Sequence, residues 1–486
     1  MSEEYLLSNS EYHFPRLHLK DAEKCKKVLE LTKQYRLSRP ILEHMKKVFL
    51  HEIEVGLAEP SITGTDLCSL SMINTFITEI PNGEEQGEFL SLDLGSTNFR
   101  VCLTRLEAGL EDMFLVKYYD IPDHLRWGKA VQLFDRIADC VHDFLVEKKI
   151  SRKAVLPLGF TFSYPMKQQS IDSGLLVTWT KSYDIKDAIG KDAAKLLQDS
   201  FFRRGLLVKV EAILNDSSGT LVKGIYLHHE CAISLIMGTG FNACYLEKAS
   251  RVPHFARVGC GLDDVALINL ECGAFGDNGC IDFFKTDLDF EMDRESLYPR
   301  SFSFEKLFSG LYLGDNVRRL MLRLVQQNLL FGGVLKEKLH CKRSLKSIAV
   351  SIIEGDQDGS ETRNVIRDQL EYDNISDDDV AIIRFLCALL SVRAALLISA
   401  LAATLVERVN RKSISIAIDG SMYKKHPKLG KLMTDFINQL APGYNVSHFL
   451  AEDGSGKGAG LVVAALHHRR ANGYFDIPKK THRDYY

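Results

Sequence analysis

The sequence predicts an α/β protein with two related lobes and a cleft between them, on three observations. The chain has 486 residues, well beyond the roughly 250–300 residues at which a single hydrophobic core stops growing. A pattern of strand, glycine-rich turn and strand recurs at 88–107, at 232–247 and, more briefly, at 415–423, which indicates a repeated unit. Helical stretches lie between these units, and no low-complexity linker separates them. We therefore expect helices packed on mixed sheets in two intimately connected halves.

The composition excludes several classes of protein. Hydrophobic residues make up 45% of the chain and charged residues 26%, with a net charge of -3. This balance is typical of a globular enzyme and not of a disordered chain or a basic nucleic-acid binder. The 11 cysteines are scattered, and the group Cys260, Cys272 and Cys280 lacks the paired spacing of zinc sites. The acidic N-terminus has no continuous apolar run, which predicts no signal peptide. We expect a cytosolic protein with reduced thiols.

The helices are predicted from apolar residues at helical spacing. The segment 21–56 carries this spacing with many charges between, which is typical of amphipathic helices at the entry to a fold. Further helices are predicted at 131–148, 187–202, 317–330 and 378–408. The longest apolar stretch, 394–406, is too short to cross a bilayer and directly follows Arg393. We therefore expect a buried helix there and no membrane span.

The first glycine turn, Gly95-Ser96-Thr97-Asn98, joins two runs rich in β-forming residues, which predicts a hairpin. Backbone N–H groups and hydroxyls on such a turn can bind phosphate oxygens without a lysine. A plain hairpin is the alternative, since glycine is common in tight turns, but three such turns in one chain weaken it. Asp93 lies among apolar neighbours, where a carboxylate needs a cation or hydrogen-bond donors. Magnesium is its natural partner, directly or through water.

Two later turns extend the phosphate prediction. Gly238-Thr239-Gly240 stands between two strands, whereas Gly454-Ser455-Gly456 opens a helix, and a helix N-terminus can hold a nucleotide phosphate or sugar edge. Both turns match a loose dinucleotide pattern, but the first is followed by a strand and not by the helix that such folds require. The sequence contains no G-x-x-x-x-G-K-S/T, so a P-loop is excluded.

Polar residues cluster where two predicted strands end, one within 158–181 and one just before 215. Together they offer the donors and acceptors that ring hydroxyls require: Ser163, Thr180, Lys181, Asn215 and Asp216. Trp179 adds apolar support. An Asn-Asp pair is by itself most often only a turn, because both side chains readily bond their own backbone.

Two glutamates add to the polar set. Glu271 is flanked by apolar and small residues, and Glu305 lies in the segment 302–307. Taken alone, each is typical of a solvent-exposed glutamate on a loop or helix, because glutamate is rarely buried. A carboxylate that accepts two hydrogen bonds from vicinal hydroxyls would account for both.

These motifs occur in the order of the eukaryotic hexokinase family, which the chain resembles over 25–468. LDLGSTNFRV (92–101) and IMGTGFNACYLE (236–247) resemble its two phosphate motifs, and LGFTFSYPMKQQSIDSGLLVTWTKSYDI (158–185) resembles its sugar-binding signature. NDSSGTL (215–221) is similar to the segment of the catalytic aspartate. ECGAFGDNG (271–279) and FEKLFSGLYLG (304–314) are similar to the sugar-binding glutamate segments, and DGSMYKKHP (419–427) with EDGSGKGAGL (452–461) to the adenosine side.

The resemblance implies the two-lobed ribonuclease-H/actin-like ATPase fold of the hexokinase type, with one catalytic unit. It implies an N-terminal region 25–222, mostly small lobe, and a C-terminal region 225–468, mostly large lobe. The implied reaction is ATP-dependent phosphorylation of D-glucose and related hexoses (mannose, fructose) at the 6-hydroxyl, with ATP and Mg²⁺ as cofactors. The implied partner is the hexose substrate, without nucleic acid, in a monomer whose lobes close on the sugar.

The same resemblance implies roles by position. Asp216 is the expected general base, and Lys181 is expected to bind sugar and to offset charge on the transferred phosphoryl group. The expected hexose contacts are Ser163, Thr180, Lys181, Asn215, Asp216, Asn242, Glu271 and Glu305. The expected nucleotide contacts are Asp93, Leu94, Gly95, Ser96, Thr97, Asn98, Phe99, Arg100, Thr239, Gly420, Gly454, Ser455 and Gly456.

Three positions depart from the family pattern. Ser96 and Ser182 stand where the family usually has glycine, and Cys272 stands where it usually has tryptophan. None of the three is a hydroxyl-binding or proton-transfer group. They leave open an alternative, a weakly catalytic hexokinase-like glucose sensor, which the retention of Asp216 and Lys181 argues against.

Overall fold

The structure is a computed structural model, and it describes residues 14–95, 99–107, 113–150, 154–180, 183–252 and 265–472. The strands within these ranges are β1 (Ile73–Asn74), β2 (Gly87–Leu94), β3 (Phe99–Leu106), β4 (Met113–Tyr119), β5 (Leu156–Phe162), β6 (Met166–Ser170), β7 (Ser173–Leu176), β8 (Val208–Leu214), β9 (Cys231–Met237), β10 (Phe241–Lys248), β11 (Val265–Asn269), β12 (Ser413–Asp419) and β13 (Asn445–Leu450). The α-helices are α1 (Ala22–Thr32), α2 (Arg39–Ala58), α3 (Asp123–Arg126), α4 (Ala130–Glu147), α5 (Ala193–Arg203), α6 (Asp216–Leu227), α7 (Asp287–Glu295), α8 (Leu313–Gln326), α9 (Glu337–His340), α10 (Ser347–Gly355), α11 (Ser360–Leu370), α12 (Asp377–Val409), α13 (Ser421–Lys425), α14 (Leu429–Leu440) and α15 (Gly454–Ala471).

Two sheets form the centres of two lobes, and both mix parallel with antiparallel strands. The small-lobe sheet has the order β4-β3-β2-β5-β8, in which β2 is antiparallel to β3 and parallel to β5. The large-lobe sheet has the order β1-β11-β10-β9-β12-β13, in which β9 is antiparallel to β10 and parallel to β12. Each sheet thus combines a hairpin with parallel strands, which confirms the predicted α/β class and the two related lobes.

Two of the three predicted strand–turn–strand units are present, as the hairpins β2–β3 and β9–β10. The third, at 415–423, is wrong, because β12 ends at Asp419 and helix α13 begins at Ser421. Between them Gly420 has a φ of 127° and lies so close to β9 that an added Cβ would be 2.4 Å from the carbonyl carbon of Met237. After this turn the chain packs α13 against β9 and β12 instead of returning as a strand.

The predicted helices are present with shifted ends. The segment 21–56 forms α1 and α2, and the predictions at 131–148, 317–330 and 378–408 correspond to α4, α8 and α12. The prediction at 187–202 starts too early, since α5 begins at Ala193. The Asp192 carboxylate accepts hydrogen bonds from the backbone N–H groups of Ala194 and Lys195 and so caps this helix.

Each lobe has its own hydrophobic core. In the small lobe α4 and α5 cover the sheet and bury aromatic residues such as Phe134 and Phe201. The large-lobe core includes α2, α6, α12 and α14, and therefore contains chain from before the small lobe as well as after it. The chain passes into the small lobe between β1 and β2 and returns to the large lobe after β8.

Helices α6 and α15 join the two lobes. Helix α6 packs on the large-lobe sheet, α15 packs on the small-lobe sheet, and the two helices pack on each other. Their backbones touch, because a Cβ added to Gly458 would lie 1.9 Å from the carbonyl oxygen of Gly219, and one added to Gly219 would lie 2.5 Å from that of Ser455. Only glycine fits at these two positions. Since Gly219 and Ser455 lie in the first turns of their helices, both N-termini meet at one place.

Helix α12, with 33 residues, forms the centre of the large lobe and packs against α2, α8 and α14. It is long and apolar enough to cross a membrane by composition, but 94% of its most apolar window is buried inside the protein. The prediction of a buried core helix at 394–406 is confirmed.

An ion pair is buried beside this helix. The guanidinium of Arg393 donates to both carboxylate oxygens of Asp289 on α7, at 2.9 and 2.6 Å. The two side chains are only 1% and 4% exposed. The same carboxylate accepts hydrogen bonds from the N–H and hydroxyl of Thr286, the N-cap of α7, and so completes a capping box. Removal of one partner would leave an uncompensated charge in the core.

We predict that Arg393→Met lowers the free energy of unfolding by about 3–5 kcal/mol, because the Asp289 carboxylate remains buried without its partner. Urea denaturation measures this loss. The double variant Asp289→Asn with Arg393→Met should recover most of the lost stability, because no unpaired charge remains in the core. As a control, Lys195→Ala breaks the exposed ion pair with Asp199 and should change the free energy of unfolding by less than about 1 kcal/mol. An equal loss in the single and the double variant would contradict the account.

Candidate active site

A cleft of about 400 Å³ lies between the lobes, and residues at the start of α6 and of α15 line it. It brings together most of the predicted site residues that the structure describes. These are Asp93, Gly95, Arg100, Ser163, Thr180, Asn215, Asp216, Thr239, Asn242, Glu271, Glu305, Gly420 and Ser455. Ser96, Thr97, Asn98 and Lys181, like the departure Ser182, lie outside the described residues.

Four predicted residues are described but do not line the cleft. Leu94 and Phe99 are 0% and 1% exposed and belong to the small-lobe core, so their side chains serve packing. Gly454 and Gly456 flank the lining residue Ser455 in the first turn of α15.

Arg100 holds one end of the cleft together. We call this the charged end (Asp93, Arg100, Asp419, Asp453 and Ser455). Nη2 of Arg100 donates to Asp93 Oδ2 and to the Ser455 hydroxyl, both at 2.6 Å, and Nη1 pairs with Asp453. Burial lowers the pKa of the Arg100 guanidinium, but the carboxylates of Asp93, Asp453 and Asp419 outweigh burial and raise this pKa above its ordinary value. One cation therefore offsets much of the negative charge of three acids.

The charged end also fastens the small lobe to α15. Asp93 Oδ2 accepts a second hydrogen bond from the Ser455 hydroxyl at 2.7 Å. Asp453, which precedes α15 in the left-handed conformation with φ 56°, accepts from the Tyr118 hydroxyl at 2.8 Å. The hairpin β2–β3 and strand β4 are thus connected directly to the N-terminus of α15.

Asp419 is the buried acid of this group. Burial raises its pKa to about 6, against the lowering effect of the Arg100 charge and of a hydrogen bond from the Ser455 N–H. That hydrogen bond to Oδ2 is 3.4 Å long. The carboxyl group therefore changes its charge just below neutral pH.

The second glycine turn is supported by the loop that follows Glu305. The N–H of Gly310 donates to the carbonyl of Gly238 at 2.9 Å, and the N–H of Leu311 donates to the carbonyl of Thr239 at 3.0 Å. The Ser309 hydroxyl donates to the same Thr239 carbonyl at 3.0 Å. The turn is therefore anchored to the large lobe by its carbonyl groups.

Hydroxyls, amides and carboxylates line the other end of the cleft, which we call the polar end (Ser163, Thr180, Asn215, Asn242, Glu271 and Glu305). Asn215 caps α6, since its Oδ1 accepts from the Ser217 N–H at 2.9 Å. Asp216 is the first residue of that helix, and its Oδ1 accepts from the same N–H at 2.9 Å. A carboxylate at a helix N-terminus is favoured in its charged form.

Glu271 is held by two amides. Its Oε1 accepts from Nδ2 of Asn269 at 2.8 Å and from Nδ2 of Asn215 at 3.2 Å. The backbone of Glu271 is left-handed, with φ 53°. Cys272, at the departure from the family pattern, is fully buried, and burial raises the pKa of its thiol well above the ordinary value.

Glu305 fits against two glycines. Its Oε2 accepts from the Phe241 N–H at 3.0 Å. A Cβ added to Gly240 would lie 2.6 Å from this oxygen, and one added to Gly273 would lie 3.0 Å from it. Glycine at both positions therefore leaves room for the carboxylate.

Ser163 and Thr180 are 6% and 8% exposed and face the cleft from the small lobe. Trp179 does not line the cleft as expected for a sugar support. It packs in the small-lobe core, with its ring centroid 4.8 Å from that of Tyr164 and 5.4 Å from that of Tyr183. The Tyr164 hydroxyl donates to the carbonyl of Gly95 at 3.1 Å, so this aromatic cluster holds Gly95 at the end of β2.

Sequence reasoning missed three residues that order the site: Asn269, Tyr118 and Asp453. Asn269 follows four apolar strand residues. A single amide in a buried strand is unusual, because it needs hydrogen-bond partners there, and this was a usable signal. Asp453 stands in the motif 452–461 that was assigned to the nucleotide side, but its pairing with Arg100 required the fold. Tyr118 gave no signal, since a tyrosine on an edge strand is ordinary.

Two protein-family models described as Hexokinase match residues 27–226 and 232–465. The chain is 37% identical over 452 residues to hexokinase-1 of Mus musculus, which is 91% of this chain and 46% of that protein. It is 38% identical over 403 residues to hexokinase-3 of Homo sapiens, with 82% of this chain and 43% of that protein covered. The chain thus spans about half the length of the curated relatives it matches.

Among solved structures, a hexokinase from Schistosoma mansoni complexed with glucose has a TM-score of 0.85 and 35% sequence identity. The match covers 92% of this chain and 100% of that chain. A second crystal structure of a hexokinase has a TM-score of 0.78 and 28% identity over the same shares.

The raised pKa of Asp419 predicts a pH-dependent stability. A carboxyl whose pKa is higher in the folded state contributes stability below its unfolded pKa of about 3.9, and this contribution is lost as the pH rises through 6. The Asp419→Asn variant has no ionisable group at this position. Between pH 4.5 and pH 7.5 its free energy of unfolding should therefore increase by about 1–3 kcal/mol relative to that of the wild type. Urea denaturation at the two pH values measures the difference. A difference that is the same at both would contradict the prediction.

Proposed function

The chain belongs to the hexokinase family, and on that premise we propose that it transfers the γ-phosphoryl group of ATP to the 6-hydroxyl of glucose and related hexoses (mannose, fructose). The proposal rests on one observation, the meeting of two helix N-termini at a single interlobe cleft. Asp216 opens α6 beside the polar end, and Gly454–Gly456 opens α15 beside the charged end. A hydroxyl acceptor and a polyphosphate donor would therefore meet between them.

The polar end supports a hexose as the acceptor. Carboxylates and amides accept and donate hydrogen bonds in the dense pattern that vicinal hydroxyls require, and charge-assisted bonds are the stronger ones. Glu271 and Glu305 would accept from ring hydroxyls, while Ser163, Thr180 and Asn215 would complete the set. The glucose named for the similar Schistosoma mansoni structure supports this choice of sugar. The roles of Asn242 and Lys181 in sugar binding stay predictions.

Asp216 is the proposed general base. Its position at the start of α6 favours the charged carboxylate, which is the form that accepts a proton from the sugar hydroxyl as the phosphoryl group arrives. The hydrogen bond from the Ser217 N–H fixes one carboxylate oxygen. In phosphoryl transfer such positioning supplies most of the catalysis, since the transition state needs little covalent help.

The charged end and the glycine turns suit the nucleotide. The first turn of α15 and the Thr239 turn would bind phosphate oxygens through backbone N–H groups and hydroxyls. Arg100 would keep Asp93, Asp419 and Asp453 from repelling the polyanion. Nucleotide contacts of Gly95 and Gly420 belong to the same proposal.

The Mg²⁺ that accompanies ATP fits this end through water. Among the described residues, no three or more His, Cys, Asp and Glu side chains are grouped to hold a metal ion. Oδ2 of Asp93 already accepts from Arg100 and Ser455, which favours a water-mediated contact over direct coordination. Mg²⁺ keeps several waters and is usually held by phosphates with one or two carboxylates. It would neutralise charge on the transferred group.

A coupled assay for hexose 6-phosphate, run beside calorimetric titration with glucose, tests the proposal. Product formed from ATP and glucose supports the kinase. Glucose binding without product would replace it with the weakly catalytic glucose sensor. Absence of both product and glucose binding would contradict the proposal that a hexose is the substrate.

We predict that Asp216→Ala lowers kcat about 10²–10⁴-fold, because the proton acceptor is lost, and changes the Kd for glucose within about tenfold. Coupled kinetics and calorimetry measure the two effects. Asp192→Asn is the matched control, since Asp192 caps α5 in the small lobe and asparagine caps equally well. Near-normal kcat in Asp216→Ala would refute its role as base.

We predict that Glu305→Gln raises the KM for glucose about tenfold to one-hundredfold and the KM for ATP by less than about threefold, since a hydrogen bond to a charged group is worth about 1.5–3 kcal/mol. Steady-state kinetics with each substrate varied give both values. Glu354→Gln is the control, because Glu354 is a buried glutamate that pairs with Lys428 and does not line the cleft. Equal rises for both substrates would indicate a structural role for Glu305.

A further inference from the structure

We propose that Asn269 is a positioning residue for hexose binding, and that its carboxamide holds Glu271 in the orientation that accepts the sugar hydroxyls. The inference rests on the proposed function and deepens it. Asn269 is the last residue of β11 and is 3% exposed. It does not line the cleft, and Val265–Ile268 before it are buried and apolar.

Both polar atoms of the buried amide make hydrogen bonds, which is what burial requires. Its Oδ1 accepts from Nδ2 of Asn242 at 2.9 Å and from the hydroxyl of Ser217 at 3.1 Å. Its Nδ2 donates to Oε1 of Glu271 at 2.8 Å. Each of these side-chain hydrogen bonds joins it to the polar end or to the first turn of α6.

Backbone groups determine which way this amide points. Oδ1 of Asn242 must accept, because the N–H groups of Ala243 and Cys272 point at it from 2.7 and 3.3 Å. Nδ2 of Asn242 then donates to Asn269, whose oxygen must face Asn242. The nitrogen of Asn269 is therefore directed at Glu271.

The same logic fixes a second donor on that carboxylate. Oδ1 of Asn215 accepts from the Ser217 N–H at 2.9 Å, so Nδ2 of Asn215 faces Glu271 at 3.2 Å. Two N–H donors thus meet one oxygen, Oε1. Donors of this kind favour the charged, accepting form of a carboxylate, which is the form that binds hydroxyl groups.

Glu271 needs this support because its backbone is strained. A left-handed conformation is unfavourable for a residue with a Cβ and persists only where the surroundings impose it. The hydrogen bond from Asn269, two residues earlier, ties the side chain to the end of β11. Without it Glu271 would keep one amide donor, and Nδ2 of Asn242 would keep its longer contacts with Oδ1 of Asn215 at 3.2 Å and the Ser217 hydroxyl at 3.4 Å.

The test measures glucose binding by calorimetry for the wild type and two variants of the full chain. Asn269→Ala removes both hydrogen-bonding atoms, and Asn269→Asp keeps the shape and the acceptor but replaces the donor with an oxygen. Both should raise the Kd for glucose at pH 8 roughly tenfold or more, with the KM for ATP changed less than about threefold. Thr362→Ala removes a buried hydrogen bond between Thr362 and Asp356, neither of which lines the cleft, and should leave the Kd unchanged.

A pH series separates positioning from a general loss of stability. In Asn269→Asp, protonation of the new carboxyl restores a donor toward Glu271, so the Kd should fall toward the wild-type value between pH 8 and pH 5.5. The Kd of Asn269→Ala should show no such recovery. Asp216, Glu305 and Cys272, the other titratable groups near Glu271, are common to all the proteins compared.

Wild-type Kd values in both variants would overturn the inference while leaving the proposed function intact. Parallel pH curves for the two variants, or loss of the folded state in both, would assign Asn269 to stability and overturn it as well. A wild type that does not bind glucose would instead remove the proposed function, on which the inference rests.

Discussion

The backbone contact between α6 and α15 is the constraint on which the rest of the site depends. An added Cβ at Gly458 would lie 1.9 Å from the Gly219 carbonyl oxygen, so any larger residue must separate the helices. Each helix is fixed to the sheet of a different lobe. The contact therefore sets the relative position of the two lobes at the same point where it places Asp216 beside the start of α15. One helix contact thus determines both the arrangement of the lobes and the position of the proposed general base.

The two ends of the cleft differ in the groups that contact their carboxylates. At the charged end Arg100 offsets three carboxylates, and its own buried charge depends on them. At the polar end one carboxylate oxygen of Glu271 and one of Glu305 accept hydrogen bonds from uncharged N–H donors. The proposed function places the nucleotide phosphates at the end that carries a cation and the uncharged hexose at the end that carries the two glutamates.

Sequence patterns predicted what is local and missed what is distant. The hairpins β2–β3 and β9–β10 were predicted because glycine-rich turns between apolar runs indicate hairpins. The prediction of a third strand–turn–strand unit at 415–423 was wrong because Gly420 packs directly against Met237. This is a tertiary contact, which a local sequence pattern does not show. Family motifs named Arg100 and Glu271. The pairing of Arg100 with Asp453 arises only when β3 meets the start of α15, so nothing local revealed it. Asn269 stands two residues before Glu271, and its isolated amide after an apolar strand was a local signal that the motifs did not include.

The central claim is that one cleft couples the two substrates. A phosphorus-31 NMR time course with the protein, MgATP and glucose tests it most directly, because the spectrum reports ATP, ADP, inorganic phosphate and phosphorylated sugar together. The account predicts that glucose 6-phosphate appears in equal amount with ADP, and that ATP persists when glucose is omitted or replaced by 6-deoxyglucose. ATP loss to inorganic phosphate at the same rate with and without glucose would contradict it.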